Sequence, residues 1–263
     1  MNIIVCVKQV PDPEAPPTSF EIDAENKKVT AAGVPLVLDP YSEYALEAAL
    51  KLKDADGSRV TALSLGAELS RDAVKKALSM GADELILLED EAFAGGDSWS
   101  TACALAAAIK KTGDYDLILC GRQSADWDAG QTGCGIAELL DLPAVTIARK
   151  IELSGDKVRV ERITDDGYEV IETTLPAVVT VSNEIGEPRY PTIRGIMAAK
   201  KIEPIIWKPA DIGLEKTGEA DRKSKIVKLT KPQRDIECQF IEGETPEEAG
   251  ARLALRLRQE KLI

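Results

Sequence analysis

The chain has 263 residues, 44% of them apolar, and no histidine. It can bury one large domain or a domain with an appendage, but it lacks the commonest general base and metal ligand at neutral pH. Its formal charge of −12, with basic residues scattered rather than striped, repels a phosphate backbone and argues against a nucleic-acid partner. With no histidine, any chemistry is expected to come from a bound cofactor, and three Phe, three Trp and five Tyr leave little surface for stacking bases. The apolar stretches are strand-sized and the uncharged start is too short for a secretory signal, so a cytoplasmic protein without a transmembrane segment is expected. Five cysteines, Cys6, Cys103, Cys120, Cys134 and Cys238, show no Cys-x-x-Cys spacing and read as free thiols.

Residues 2–7 form an apolar strand that stops at Lys8, and the proline-rich stretch to Pro17 is expected to leave the sheet as an irregular loop. Residues 34–38 look extended. Asp39-Pro40-Tyr41-Ser42 then opens a helix with Ala45, Leu46, Ala49, Leu50 and Leu52 on its apolar face. Residues 60–65 are the next strand, and Ser70 caps one helix running to Gly81. A strand at 84–88, an alanine-rich helix at 98–111, a strand at 116–120 and a helix at 131–140 continue the alternation through Ala148. That order predicts an α/β fold, a doubly wound, mostly parallel Rossmann-like sheet with ligands at the carboxyl ends of its strands.

From Lys150 the pattern changes to period two, at 157–163, 168–175 and 177–181, with a turn at Asp165-Asp166-Gly167. All of this is read as an antiparallel extension. Residues 183–235 carry many Pro, Lys and Gly with little apolar periodicity, and are read as an extended arm lying on another subunit. A last helix, 245–260, starts with Thr245 as cap, Pro246 at its first position and Glu247 and Glu248 in its first turn. The expected division is an α/β domain at 1–182 and a partner-facing part at 183–263.

Residues 116–133 carry the strongest functional signal. An apolar strand ends at Gly121, a loop longer than the usual two to six or so residues follows, and a helix begins beside Gln131 and Thr132. Gly130 and Gly133 are expected to let backbone amides approach a ligand, and a helix N-terminus favours a phosphate. Asp126, Asp128, Gln131 and Thr132 either bond ribose and phosphate directly or orient the loop. Neither a Gly-x-x-x-x-Gly-Lys nor a Ser-Gly-Gly run occurs, which disfavours a stand-alone adenine-nucleotide-binding protein or enzyme.

Four segments together resemble the β subunit of the electron transfer flavoproteins: residues 5–12, residues 39–47, the loop from Gly121 to Gly133, and residues 187–197. The resemblance spans essentially the whole chain and implies an adenine-nucleotide α-hydrolase-like sheet. It also implies a heterodimer whose α subunit holds most of an FAD, while this chain binds AMP; the alternative is a second FAD in place of AMP, reduced by NADH. Adenine and ribose would lie against Cys6, Asp39, Pro40, Tyr41, Ser42 and Leu65. Phosphate would lie against the loop formed by Gly121, Arg122, Gln123, Ser124, Ala125, Asp126, Trp127, Asp128, Ala129, Gly130, Gln131 and Thr132. Trp127 and Thr132 stand where bifurcating members typically carry Gly and Val, and a bulky indole crowding an isoalloxazine path favours AMP. The resemblance further implies an acyl-CoA dehydrogenase-type donor and a quinone oxidoreductase-type acceptor. It makes Ile193 an exposed anchor for the dehydrogenase, flanked by Arg189, Tyr190, Arg194 and Met197, and assigns this chain no catalytic residue.

Overall fold

A computed structural model describes residues 1–232 and 238–263. In chain order its first half holds β1 (Asn2–Val7), β2 (Gln9–Pro11), β3 (Glu21–Asp23), β4 (Lys28–Thr30), β5 (Leu36–Leu38), α1 (Pro40–Asp56), β6 (Arg59–Gly66), α2 (Arg71–Val74), α3 (Lys76–Met80), β7 (Glu84–Glu89) and α4 (Ser98–Thr112). The second half holds β8 (Leu117–Gly121), α5 (Thr132–Leu140), β9 (Ala144–Ser154), β10 (Lys157–Thr164), β11 (Gly167–Thr174), β12 (Ala177–Val181), α6 (Ile193–Ala199), β13 (Ile205–Trp207) and α7 (Pro246–Gln259).

The main sheet runs β11-β10-β9-β12-β8-β1-β6-β7-β13, parallel from the start of β9 to β13 and antiparallel across β9, β10 and β11. It is the expected doubly wound α/β sheet. Alternation along the strands sends side chains to two cores. Ile3, Val5, Leu117 and Leu119 pack with Leu46, Ala49 and Leu50 of α1, while Ile4, Cys6, Ile118 and Cys120 pack with Ala102 and Ala108 of α4 and Ile136 of α5. Each fully buried Leu or Ile contributes roughly 1.5–3 kcal/mol.

Several expectations need correcting. The stretch after Lys8 is not irregular throughout: β2 pairs antiparallel with β5, from Gln9 opposite Leu38 to Pro11 opposite Leu36. A proline at the end of a short edge strand has no ladder donor to lose. A small hairpin, β3 with β4, fills part of the excursion. The helix from Ser70 to Gly81 is two short pieces, separated at Lys75, where ψ of −10° tightens the turn toward 3₁₀ geometry.

Residues 177–181 are not part of the antiparallel extension. β12 is a central parallel strand between β8 and β9, and all five of its residues are buried. Burial on both faces, rather than alternation, marks such a strand.

Part of the expected arm also belongs to the body. α6 packs on α3, where a Cβ at Gly195 would come within 2.4 Å of the Ser79 carbonyl, and β13 adds a parallel edge strand to β7. The sheet therefore continues past the division expected at 182. Residues 233–235, the end of that stretch, lie outside the described residues. α7 forms where expected, capped by the Thr245 hydroxyl, with none of its residues buried.

Candidate functional site

The two central strands, β1 and β8, are where the order of the sheet reverses, and the loops leaving their carboxyl ends diverge to leave a crevice. Lys8 follows β1 and Arg122 follows β8. The loop of residues 121–131 lies across that edge, and α1 begins beside it.

Asp39 joins these parts. It caps α1 by accepting from Ser42 N at 2.9 Å, and its second carboxylate oxygen accepts from Ala125 N in the loop at 2.8 Å. Its own N–H donates to the Lys8 carbonyl at 2.8 Å. Burial pushes the Asp39 carboxyl up, against the opposing pull of those N–H donors and of Lys8. Ser42 completes the junction, its hydroxyl accepting from Lys8 N at 3.0 Å. Pro40 holds the first helical position, where a missing N–H costs nothing.

The rest of the loop is stitched by its own side chains. Gln123 Nε2 donates to Asp128 Oδ1 at 2.7 Å and to the Tyr41 hydroxyl at 3.2 Å, and its Oε1 accepts from Arg122 Nε at 3.1 Å. The Arg122 guanidinium stands over the Tyr41 ring, 5.7 Å from its centre. Lys8 Nζ pairs with both oxygens of Asp126 at 2.7 Å and donates to Ser124 Oγ at 3.4 Å. The Ser124 carbonyl accepts from Asp128 N at 2.9 Å, with Asp128 in the left-handed region at φ 50°. Asp126 and Asp128 thus orient the loop, each already engaged within the chain.

Gly130, also left-handed at φ 62°, turns the exposed chain past Ala129 into Gln131 and the first turn of α5. Nine residues of helix leave the amides of that first turn, Thr132 among them, at its positive end. Gly133 has a packing role besides the expected one. A Cβ there would sit 2.6 Å from Thr180 Cγ2, so this glycine also lets α5 lie close on β12. Gly121 likewise makes room for Tyr41, whose Cβ would be 2.7 Å away from an added Cβ.

Cys6 and Cys120 are register partners on β1 and β8 and are both buried. The hydrogen bond with Cys120, reinforced by burial, pushes the Cys6 thiol well up, which leaves it neutral and a packing residue. Leu65, half-buried, is the penultimate residue of β6, two strands from the loop. Trp127 is 59% exposed.

This combination suits a phosphate group. The open amides at the start of α5 and the Arg122 guanidinium are what an anion would meet, while Lys8 is paired with Asp126 and Asp128 is bonded by Gln123. Lys8 was not singled out by the sequence reading. Its signal was available, as the first residue past a strand that ends at the crevice.

The second group of expected residues lies elsewhere, at the start of α6. Tyr190 is 94% exposed, Ile193 83% and Met197 56%. Gly195 and Ala199 face α3, so Ile193 and Met197, one turn apart, present an apolar surface to solvent, with Arg194 exposed between them. Arg189 departs from its expected place among partner contacts. Its guanidinium is bound within the chain, to Glu47 at 2.8 Å and Asp54 at 2.8 Å, and those carboxylates raise its pKa further. Among the described residues no helix is long and apolar enough to cross a membrane.

The family model for the electron transfer flavoprotein domain matches residues 27–212. The chain is 39% identical to an electron transfer flavoprotein subunit beta of Thermoanaerobacterium thermosaccharolyticum, over the full length of both. It is 42% identical to the protein of the same description from Megasphaera elsdenii, covering 89% of each. It is 38% identical, again over the full length of both, to the caffeyl-CoA reductase-Etf complex subunit CarD of Acetobacterium woodii. With its nucleotide-type loop at the switch point of a doubly wound sheet, the chain belongs to the electron transfer flavoprotein family, as a β subunit.

Proposed function

We propose that this chain forms a heterodimer with an α subunit that holds most of an FAD, and that its own loop at 121–132 binds AMP as a structural ligand. Electrons pass from an acyl-CoA dehydrogenase-type donor to that FAD and on to a quinone oxidoreductase-type acceptor. The flavin supplies the redox chemistry. The chain's residues bind, orient and dock: Asp39, Gln123 and Lys8 hold the loop, the first turn of α5 faces the phosphate, and Ile193 with Tyr190 and Met197 meets the dehydrogenase.

The observation that carries this reading is the bond from Ala125 N to Asp39, because it builds the loop before any ligand arrives. A ligand entering such a site has less ordering entropy to lose. Purifying the chain with its α subunit, denaturing the complex and counting released nucleotides tests it. One AMP and one FAD per heterodimer is the expected result.

A second reading is favoured by one observation. The Trp127 residue is 59% exposed, so its indole is free to turn aside from a larger nucleotide. The similarity to a subunit of a caffeyl-CoA reductase complex points the same way. Under this reading the adenylate half of a second FAD takes the AMP position and its flavin accepts hydride from NADH. Two FAD and no AMP in the same count would establish it.

A further inference from the structure

The clamp beneath the exposed apolar surface is built on α1, the helix whose N-terminus also anchors the nucleotide loop. Glu47 lies between Leu46 and Ala48 on that helix and is 4% exposed. A buried carboxylate persists only when paired and hydrogen-bonded, and here the pairing is with one residue above all. Glu47 Oε2 accepts from Arg189 N at 3.0 Å and from Arg189 Nε at 2.8 Å, while Oε1 accepts from an Nη at 3.2 Å. The same guanidinium reaches Asp54 at 2.8 Å, and Lys51 Nζ donates to the Ile185 carbonyl at 2.8 Å. Positions 47, 51 and 54 share one helical face, which therefore grips the chain from 185 to 189.

Arg189 is followed at once by Tyr190, and four residues on by Ile193. Because Glu47 holds the main-chain N–H of Arg189 as well as its side chain, it fixes the backbone from which the apolar surface departs. We propose that Glu47 is a positioning residue for docking: acting through Arg189, it sets the place and angle of Tyr190, Ile193 and Met197. The proposal rests on the reading of that surface as the dehydrogenase contact. A contact loop held in place beforehand loses less conformational freedom on association, so the pair acts on the affinity of docking rather than on electron transfer within the docked complex.

The test uses the complex of this chain with its α subunit, with a purified acyl-CoA dehydrogenase from the same genome as reductant. Glu47→Gln, Arg189→Gln, the double variant and Ile193→Ala are compared by steady-state flavin reduction. Glu47→Gln raises KM for the dehydrogenase about tenfold and retains kcat, and the double variant is no worse than either single one, because the two side chains act as one unit. Hydrogen exchange rises at residues 190–199 and stays unchanged at 117–121. If Glu47→Gln fails to assemble, Arg189→Lys replaces it, since an ammonium cannot hold both carboxylates as the guanidinium fork does, and its KM rises as well. A wild-type KM for these variants beside a raised KM for Ile193→Ala overturns the proposal and leaves the docking surface standing. A wild-type KM for Ile193→Ala removes the docking surface itself, and the proposal with it.

Discussion

The loop at 121–131 and the start of α6 are both exposed segments, yet they are built in opposite ways. Three of the loop's polar groups are satisfied inside the chain: Asp126 by Lys8, Asp128 by Gln123, Ala125 N by Asp39. The start of α6 leaves its apolar side chains in water, with Ile193 83% and Tyr190 94% exposed, above a base that is fixed through Arg189. A small ligand offers few contacts, so its site must already be shaped when it arrives. A protein partner supplies a large surface, so its site needs only a held platform and an uncovered apolar group.

The contrast predicts that damage in the loop costs both stability and nucleotide, and that damage on the surface costs neither. The largest effect is expected at Gly121→Ala. The added Cβ would lie 2.7 Å from the Tyr41 Cβ and 2.8 Å from its carbonyl carbon and oxygen, forcing the start of α1 away. Thermal unfolding of the complex should show a loss of about 1–3 kcal/mol, the usual cost of overpacking, together with loss of bound nucleotide. Unchanged melting would place α1 and β8 further apart than described.

Asp39→Ala comes next. It removes a helix cap and orphans Ala125 N, at a cost of roughly 1–2 kcal/mol, and nucleotide content falls with it. Retention of full nucleotide content would separate the loop's shape from its binding and break the comparison. The smallest change in stability is expected at Ile193→Ala, within about 0.5 kcal/mol of wild type, with AMP and FAD content intact and reduction by the dehydrogenase slowed. Loss of flavin from that variant would mean that Ile193 serves the subunit interface instead.

Much of this organisation was legible in the residues. Strands with apolar runs and helices with capped starts gave the parallel sheet, and the small-residue loop after β8 lies where the strand order reverses. β12 escaped because a run such as Ala177 to Val181 does not state the direction of its neighbours, and only its complete burial reveals a central strand. β13 and α6 escaped because three residues of strand and seven of helix carry too little periodicity. Within the site, the roles of Gly121 and Gly133 depend on Tyr41 and Thr180, residues distant in sequence. Glu47 was visible as an acid within an apolar helical run, but its partner lies 142 residues away.

The measurement that tests the central claim most directly is the structure of the purified heterodimer with its nucleotides bound. The account predicts a phosphate at the first turn of α5, within hydrogen-bond reach of the backbone amides around Thr132, and an adenosine running toward Tyr41 and Ser42. A phosphate held elsewhere, with the amides at the start of α5 facing solvent, would contradict it.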